Sequence, residues 1–162
     1  MIDLNASDYE GLIPLFSEEF GSVRDIYVAD TDVQTWEKLL VALRESSWDP
    51  DLRLGAQSVA LVPAAMILAD VPPGADTYTL RVTVGELWLW CHFYSADEIE
   101  FSLQAGQVES ARDLERLVAF MVWVSAVLAK DVKLTLEAPG GGNAPPLLLV
   151  RKESGGLQVF PV

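Results

Sequence analysis

The sequence has one cysteine, Cys91, and one histidine, His92, in 162 residues. A lone cysteine precludes an internal disulfide, and a lone histidine leaves no His/Cys set for a structural zinc site. Any Ser-His-Asp or Cys-His mechanism must run through His92, while Cys91 beside it on a strand points to the opposite face. Basic residues are also scarce: 11 Lys and Arg stand against 24 Asp and Glu, for a net charge of −13 at pH 7. A field of that sign repels phosphate backbones and anionic lipid, which argues against nucleic-acid and membrane partners. The most apolar stretch, Leu117 to Leu128, is flanked by Arg116 and Lys130 and falls well short of the about 20 residues of a membrane span, so it reads as a buried helix. The N-terminus shows no basic start, apolar stretch and small-residue cleavage site, so a cytoplasmic location is expected.

Apolar residues and aromatics are plentiful. With 51% of the residues hydrophobic and five tryptophans, six phenylalanines and four tyrosines, the chain has ample material for a core and is not disordered despite its charge. The length suits one domain covering residues 1–162.

The patterning predicts an α+β fold: a mainly antiparallel sheet with a central meander at about 78–103, packed by two main helices at about 32–46 and 111–129. A short helix is expected from Pro14 to Phe20, between a proline and Gly21. Val23 to Ala29 reads as a strand, and Thr31-x-x-Gln34 has capping-box spacing ahead of Trp36, Leu39, Leu40 and Leu43 at helical intervals. That helix should stop near Ser46, before Trp48-Asp49-Pro50. Leu52 to Leu54 is a short strand and Pro63 to Ala69 a short helix ahead of the turn at Pro72-Pro73-Gly74.

The meander is the sharpest signal. A two-residue turn at Gly85-Glu86 pairs Val84 with Leu87, Val82 with Leu89, Leu80 with Cys91 and Tyr78 with Phe93, which gathers one apolar face. The opposite face then carries Arg81, Trp88, Trp90, His92 and Tyr94. A five-residue loop would set Phe93 against Ile99 and Glu100 against His92; a four-residue loop would pair Tyr94 with Ile99 instead. Ser110 caps the long helix with Asp113 as the acidic partner, and Leu114, Leu117, Val118, Met121, Val124 and Leu128 form its main stripe. Phe120, Trp123 and Val127 form a second stripe, so this helix is central or sits at a subunit contact. Val132 to Glu137 is a strand, Pro139 to Pro146 a loop, and Leu147 to Val150 pairs with Leu157 to Phe160.

Three groups could carry chemistry. Asp30-Thr31-Asp32-Val33 follows an apolar strand and resembles the first motif of haloacid-dehalogenase-type phosphatases, and more loosely the metal loop of some glycosyltransferases. In that reading one carboxylate attacks a phosphoryl group or both hold a divalent metal. The same residues are equally the cap of a helix. His92 with Glu100, or with Asp97 and Glu98, could form an acid/base pair in a Trp-lined pocket, or a plain cross-strand contact. Trp88, Trp90 and Tyr94, with Arg81 opposite Trp90, are core if a helix covers them and binding hot spots if the face is open. Gly140-Gly141-Gly142-Asn143 lacks the Lys-Ser/Thr pair of a phosphate cradle and reads as a flexible loop.

The segments DIYVADTDVQTWEKLLVAL, CHFYSADEIEFSL and KDVKLTLEAPGGGNAPPLLLV resemble those of small uncharacterised bacterial α+β proteins, and the acidic balance is similar to that of immunity proteins that neutralise toxins. The charge and the aromatic face together give the expectation of a protein-binding module, of the immunity type by resemblance and without a cofactor, that turns acidic surface from the N-terminal segment and the Asp97 to Glu100 loop toward a basic protein partner, with exposed aromatics as anchors. Its binding residues would be Arg81, Trp88, Trp90, His92, Tyr94, Asp97, Glu98 and Glu100. A metal-dependent phosphatase or transferase using Asp30 and Asp32, and a non-catalytic homodimer, are the alternatives.

Overall fold

The computed structural model describes residues 6–137 and 143–160. Nine strands form one antiparallel sheet: β1 (Val23–Ala29), β2 (Asp49–Leu54), β3 (Gln57–Val59), β4 (Tyr78–Val84), β5 (Leu87–Cys91), β6 (Glu98–Gln104), β7 (Val132–Leu136), β8 (Pro146–Val150) and β9 (Leu157–Val159). Their order across the sheet is β3-β2-β4-β5-β6-β1-β7-β8-β9, so the meander is flanked by β2 and β3 on one side and joined to β7, β8 and β9 through β1 on the other. Four helices accompany it among the described residues: α1 (Ala6–Leu12), α2 (Val33–Glu45), α3 (Ala64–Ile67) and α4 (Ala111–Leu128). None of them is long and apolar enough to cross a membrane.

The alternation of the central strands decides which side is inside. Leu80, Val82 and Val84 of β4, Leu87, Leu89 and Cys91 of β5, and Ile99, Phe101 and Leu103 of β6 are all buried in one core. Gly85 at φ 64° supplies the left-handed residue that a tight hairpin demands, and the pairs Val84↔Leu87, Val82↔Leu89 and Leu80↔Cys91 follow. Trp90 pairs with Ser102, which is the register of the five-residue loop.

Helix α4 lies on this face between α1 and α2, which explains its two stripes. Leu114, Leu117, Met121 and Val124 go into the sheet-side core, while Phe120 makes edge contacts with Phe101 and Trp48, both at 5.4 Å, and stacks on Trp123 at 6.0 Å. Its start is the expected capping box: Ser110 Oγ accepts from the Asp113 amide at 3.2 Å, and the Asp113 carboxylate accepts from the Ser110 amide at 3.2 Å.

Several local expectations are corrected. The N-terminal helix is α1, earlier than Pro14; Ile13–Phe16 and Glu18–Phe20 are single 3₁₀ turns. The cap of α2 is Asp32 with Thr35, one residue beyond the Thr31-Gln34 spacing. Strand β2 begins at Asp49, since Pro50 starts a strand without interrupting it, and β3 adds an edge strand too short and polar to stand out. Strand β5 ends at Cys91 because Phe93 turns left-handed at φ 57°, so Tyr78 pairs with Leu54 of β2 but not with Phe93, and both pack against the core. The Gly140–Gly142 loop lies outside the described residues.

One buried charge has no sequence signal. Arg24 is completely buried on the core side of β1, with its guanidinium spent on main-chain carbonyls: Nε donates to Leu15 O at 3.0 Å, Nη1 to Gly21 O at 2.8 Å and Val23 O at 2.9 Å, and Nη2 to Ser17 O at 2.8 Å. It ties the 3₁₀ turns to the end of the sheet. An ammonium cannot reproduce that fork. Arg24→Lys should therefore lower the unfolding free energy by about 2–4 kcal/mol, measured by urea denaturation, because buried carbonyls lose charged donors.

Candidate functional site

No helix of the described residues packs on the other face of the sheet, although its β1 and β7 side chains Asp25, Tyr27 and Thr135 are buried. Cross-strand pairing lays one row of side chains over six strands, Asp51↔Arg81↔Trp90↔Ser102↔Asp25↔Thr135, and a second row sets Tyr27 between Glu100 and Lys133. The expected binding residues Arg81, Trp88, Trp90, Glu98 and Glu100 all stand on this face. His92, Tyr94 and Asp97 follow in the β5–β6 loop instead of continuing the strand. Asp25 and Tyr27 belong here too, although VRDIYVA was read only as a strand. The alternation that buries Ile26 and Val28 already places Asp25 and Tyr27 on the opposite side. Their neighbours on β6 are a matter of long-range pairing.

At the β4–β5 end the Arg81 guanidinium lies over the Trp88 ring at 4.5 Å and over the Trp90 ring at 5.9 Å. Asp51 holds it in place at 3.5 Å and Arg53 at 3.1 Å. Gln107 fixes Trp88 from behind, accepting from its amide at 2.9 Å and donating to its carbonyl at 3.2 Å. Trp88 remains 48% exposed and Tyr94 74% exposed. Trp88 and Tyr94 are thus surface groups, whereas Trp90 is half-buried and Tyr27 is buried.

The β5–β6 loop is pinned by the core beneath it. Trp36 Nε1 donates to Ser95 O at 3.1 Å, the Thr31 hydroxyl to Ala96 O at 2.6 Å and the Thr31 amide to Asp97 O at 3.1 Å. Phe93 leans inward against Trp36 at 5.1 Å, whereas His92 and Tyr94 point outward with their rings 5.5 Å apart.

Beside this loop sits an acid cluster. Asp25 is 6% exposed; it accepts from the Ser102 hydroxyl at 2.7 Å, and the Tyr27 hydroxyl lies 3.5 Å from it and 3.4 Å from Glu100. One hydroxyl proton cannot serve both carboxylates. Burial, and then the charge of Glu137, raise the Asp25 pKa against the hydrogen bonds of Ser102 and Tyr27. Burial together with Asp25 and Glu98 raises that of Glu100, and burial with the same carboxylates pushes Tyr27 up as well. The ion pairs among the described residues are Arg53–Asp51, Arg81–Asp51 and Arg151–Asp131, none of which involves Asp25, Glu98 or Glu100.

Among the described residues no group of three or more His, Cys, Asp or Glu is placed to bind a metal. The Cys91 thiol lies under the sheet with its pKa pushed up to about 12 by burial, so it is neither a nucleophile nor a partner for His92. At the Asp30-x-Asp32 loop, Asp32 accepts from the Thr35 amide and hydroxyl, both at 2.8 Å, which holds its carboxyl below the usual range. Asp30 takes a left-handed φ of 57°, and its carbonyl accepts from Lys130 at 2.8 Å. The helix cap accounts for Asp32. No protein-family model matches the chain, and neither a curated protein nor a solved structure is significantly similar to it.

The raised acids carry a sign. A carboxyl whose folded pKa exceeds its unfolded one binds its proton more tightly when folded, so its ionisation costs stability above the folded pKa, and that cost disappears as pH falls to the unfolded value. Glu100→Gln keeps an acceptor for Tyr27 and should raise the melting temperature at pH 7. It should also flatten the gain in stability that the parent protein shows on mild acidification toward the ordinary carboxylate range; thermal melts across that pH interval read both. At the other loop, Asp32→Ala should lower the melting temperature and Asp30→Asn should leave it unchanged, since only Asp32 supports the helix start.

Proposed function

We propose that the chain is a protein-binding module of the immunity type, acting in the cytoplasm, which captures a basic protein on the uncovered sheet face. The observation that carries this reading is the juxtaposition of exposed, rigidly seated aromatics with carboxylates that repel one another. Trp, Tyr and Arg are the residues that dominate binding energy at protein interfaces, and Trp88, Trp90, Tyr94 and Arg81 share one face. Asp97, Glu98 and Glu100 border them, within a chain of net charge −13.

A basic partner gains twice from this surface. The long-range field speeds its approach, and at contact its cations relieve the repulsion among Asp25, Glu98 and Glu100. Nucleic acid and anionic membranes are disfavoured by the same field. Catalysis finds little purchase: the only thiol is buried on the far side, and Asp32 of the Asp30-Asp32 loop is engaged in capping.

The test is capture from the native host on immobilised protein at low and high salt. A specific basic protein should be retained at low salt and released as salt rises. Trp88→Ala should weaken that complex by about 2 kcal/mol, or about 30-fold in Kd, with no loss of thermal stability. Retention of no basic protein, or binding indifferent to Trp88→Ala and Tyr94→Ala alike, would sink the proposal.

A further inference from the structure

We infer that the free edge of β9 pairs with the same edge of a second copy of this chain, about a two-fold axis at Gln158, so that two sheets join into one. This interface is separate from the sheet face used in the binding reading above.

The parity of the β8–β9 ladder decides which backbone groups are free. The Arg151 amide donates to Gly156 O at 3.1 Å and the Phe160 amide to Leu147 O at 2.9 Å, with Leu149 opposite Gln158 between them. Gly156, Gln158 and Phe160 therefore turn their backbone toward β8. Leu157 and Val159 turn theirs outward, and β9 is the last strand of the sheet. Natural edges are usually blunted by a charge, a proline or a bulge, and Leu157–Val159 has none of these.

A second copy fits this edge by register. With the axis at Gln158, Leu157 of each copy lies opposite the partner's Val159, and both outward residues exchange their hydrogen bonds, four in all. Slipping the axis to Leu157 or Val159 sets one of the two against chain outside β9. The side chains agree with the centred register. Gln158 meets its own copy across the closely spaced pair, and Val159, 37% exposed, gains the partner's Leu157. Phe160 falls opposite the partner's Gly156, where no side chain obstructs it. Arg151, Gln158, Val159 and Phe160 line a mainly apolar groove of about 410 Å³ at this edge, with room for the incoming phenyl ring. The Arg151 guanidinium that the ring would meet is already held, by Gln158 Oε1 at 3.2 Å and Asp131 at 3.4 Å.

Charge points to the same edge. Two copies of net charge −13 repel each other over most of their surface. From residue 130 onward, however, Lys130, Lys133, Arg151 and Lys152 outnumber Asp131, Glu137 and Glu153, whereas the preceding residues carry seven bases against twenty-one acids. The opposite edge strand, β3, is polar at Gln57 and Ser58 and pairs with β2, which carries Asp49 and Asp51. A two-fold axis perpendicular to the sheet also leaves the uncovered faces of both copies on one side of the junction.

Sedimentation velocity on the intact chain, from about 1 µM to about 500 µM, tests the inference. A monomer–dimer equilibrium with Kd in the range of about 10–100 µM is expected, because four hydrogen bonds and a small apolar contact make a transient interface. Gln158→Glu and Gln158→Lys should each weaken self-association about tenfold by setting like charges together at the axis, and an equimolar mixture of the two should restore it. Val159→Pro removes an outward N–H and no bond to β8, so it should abolish the dimer and leave the melting temperature unchanged. A monomer at every concentration overturns the inference, as does a mixture of the Gln158 variants that associates no better than either alone. A dimer lost with Trp88→Ala but intact in Gln158→Lys would place the contact on the sheet face, and the inference falls. It falls equally if the backbone amides of Leu157 and Val159 shift in NMR spectra on adding a captured protein partner but not with the chain's own concentration.

Discussion

The two-residue period of the β-strand is the constraint from which the rest of this molecule follows. Nine antiparallel strands among the described residues present two faces, with one long helix and one medium helix there to cover them. Helix α4 brings apolar residues on two sides, yet both are consumed on the same face: one by the strands beneath it, the other by Trp48, α1 and α2. Among the described residues no comparable helix remains for the second face. A shift of one residue at the Gly85-Glu86 turn would send Leu80, Val82 and Leu89 to water and Arg81 and Trp90 into the core, so the register is strongly specified.

That asymmetry gives the uncovered face its character. A solvated sheet face ordinarily carries small polar residues and well-spaced charges of both signs. Here Asp25, Glu98 and Glu100 crowd around Tyr27. The arrangement costs stability at neutral pH. Folding alone would favour a glutamine or threonine at position 100, and local rules that are broken without compensation elsewhere tend to mark a surface kept for binding. The Arg81–Trp88 contact has the opposite economy: Asp51 neutralises the guanidinium, so that end is an apolar and rigid platform next to an unbalanced one.

Much of the fold was legible because its signals are local. Strands β1 and β4, the Gly85 turn and the Ser110–Asp113 cap are written in alternation, turn chemistry and spacing within a few residues. The failures share a cause. Strand β5 was extended through Tyr94 because LWLWCHFY alternates in composition, whereas the left-handed Phe93 is imposed by packing against Trp36, a residue on another element. Pro50 reads as a stop in isolation but sits comfortably at the start of β2. Arg24 on an apolar strand offers no hint that its partners are carbonyls from the preceding turns. At the site, Arg81, Trp88 and Trp90 could be placed on one face from sequence, but whether that face was covered depended on how many apolar stripes α4 would use elsewhere. Asp25 and Tyr27 escaped because their meaning comes from β6, some 75 residues away in the chain.

The same geometry separates binding from chemistry. Two carboxyls with raised pKa bridged by a tyrosine have the outline of an acid/base pair, and in an enzyme that pair would face a cleft able to exclude water from a substrate. Asp25 instead lies flat in the sheet under Ser102 and Tyr27, with only Glu100 and Glu98 presented outward. A proton could move within such a cluster, but a substrate atom could not reach the buried member. What an approaching molecule meets is a ring of negative charge with one deep member that cannot retreat from the others.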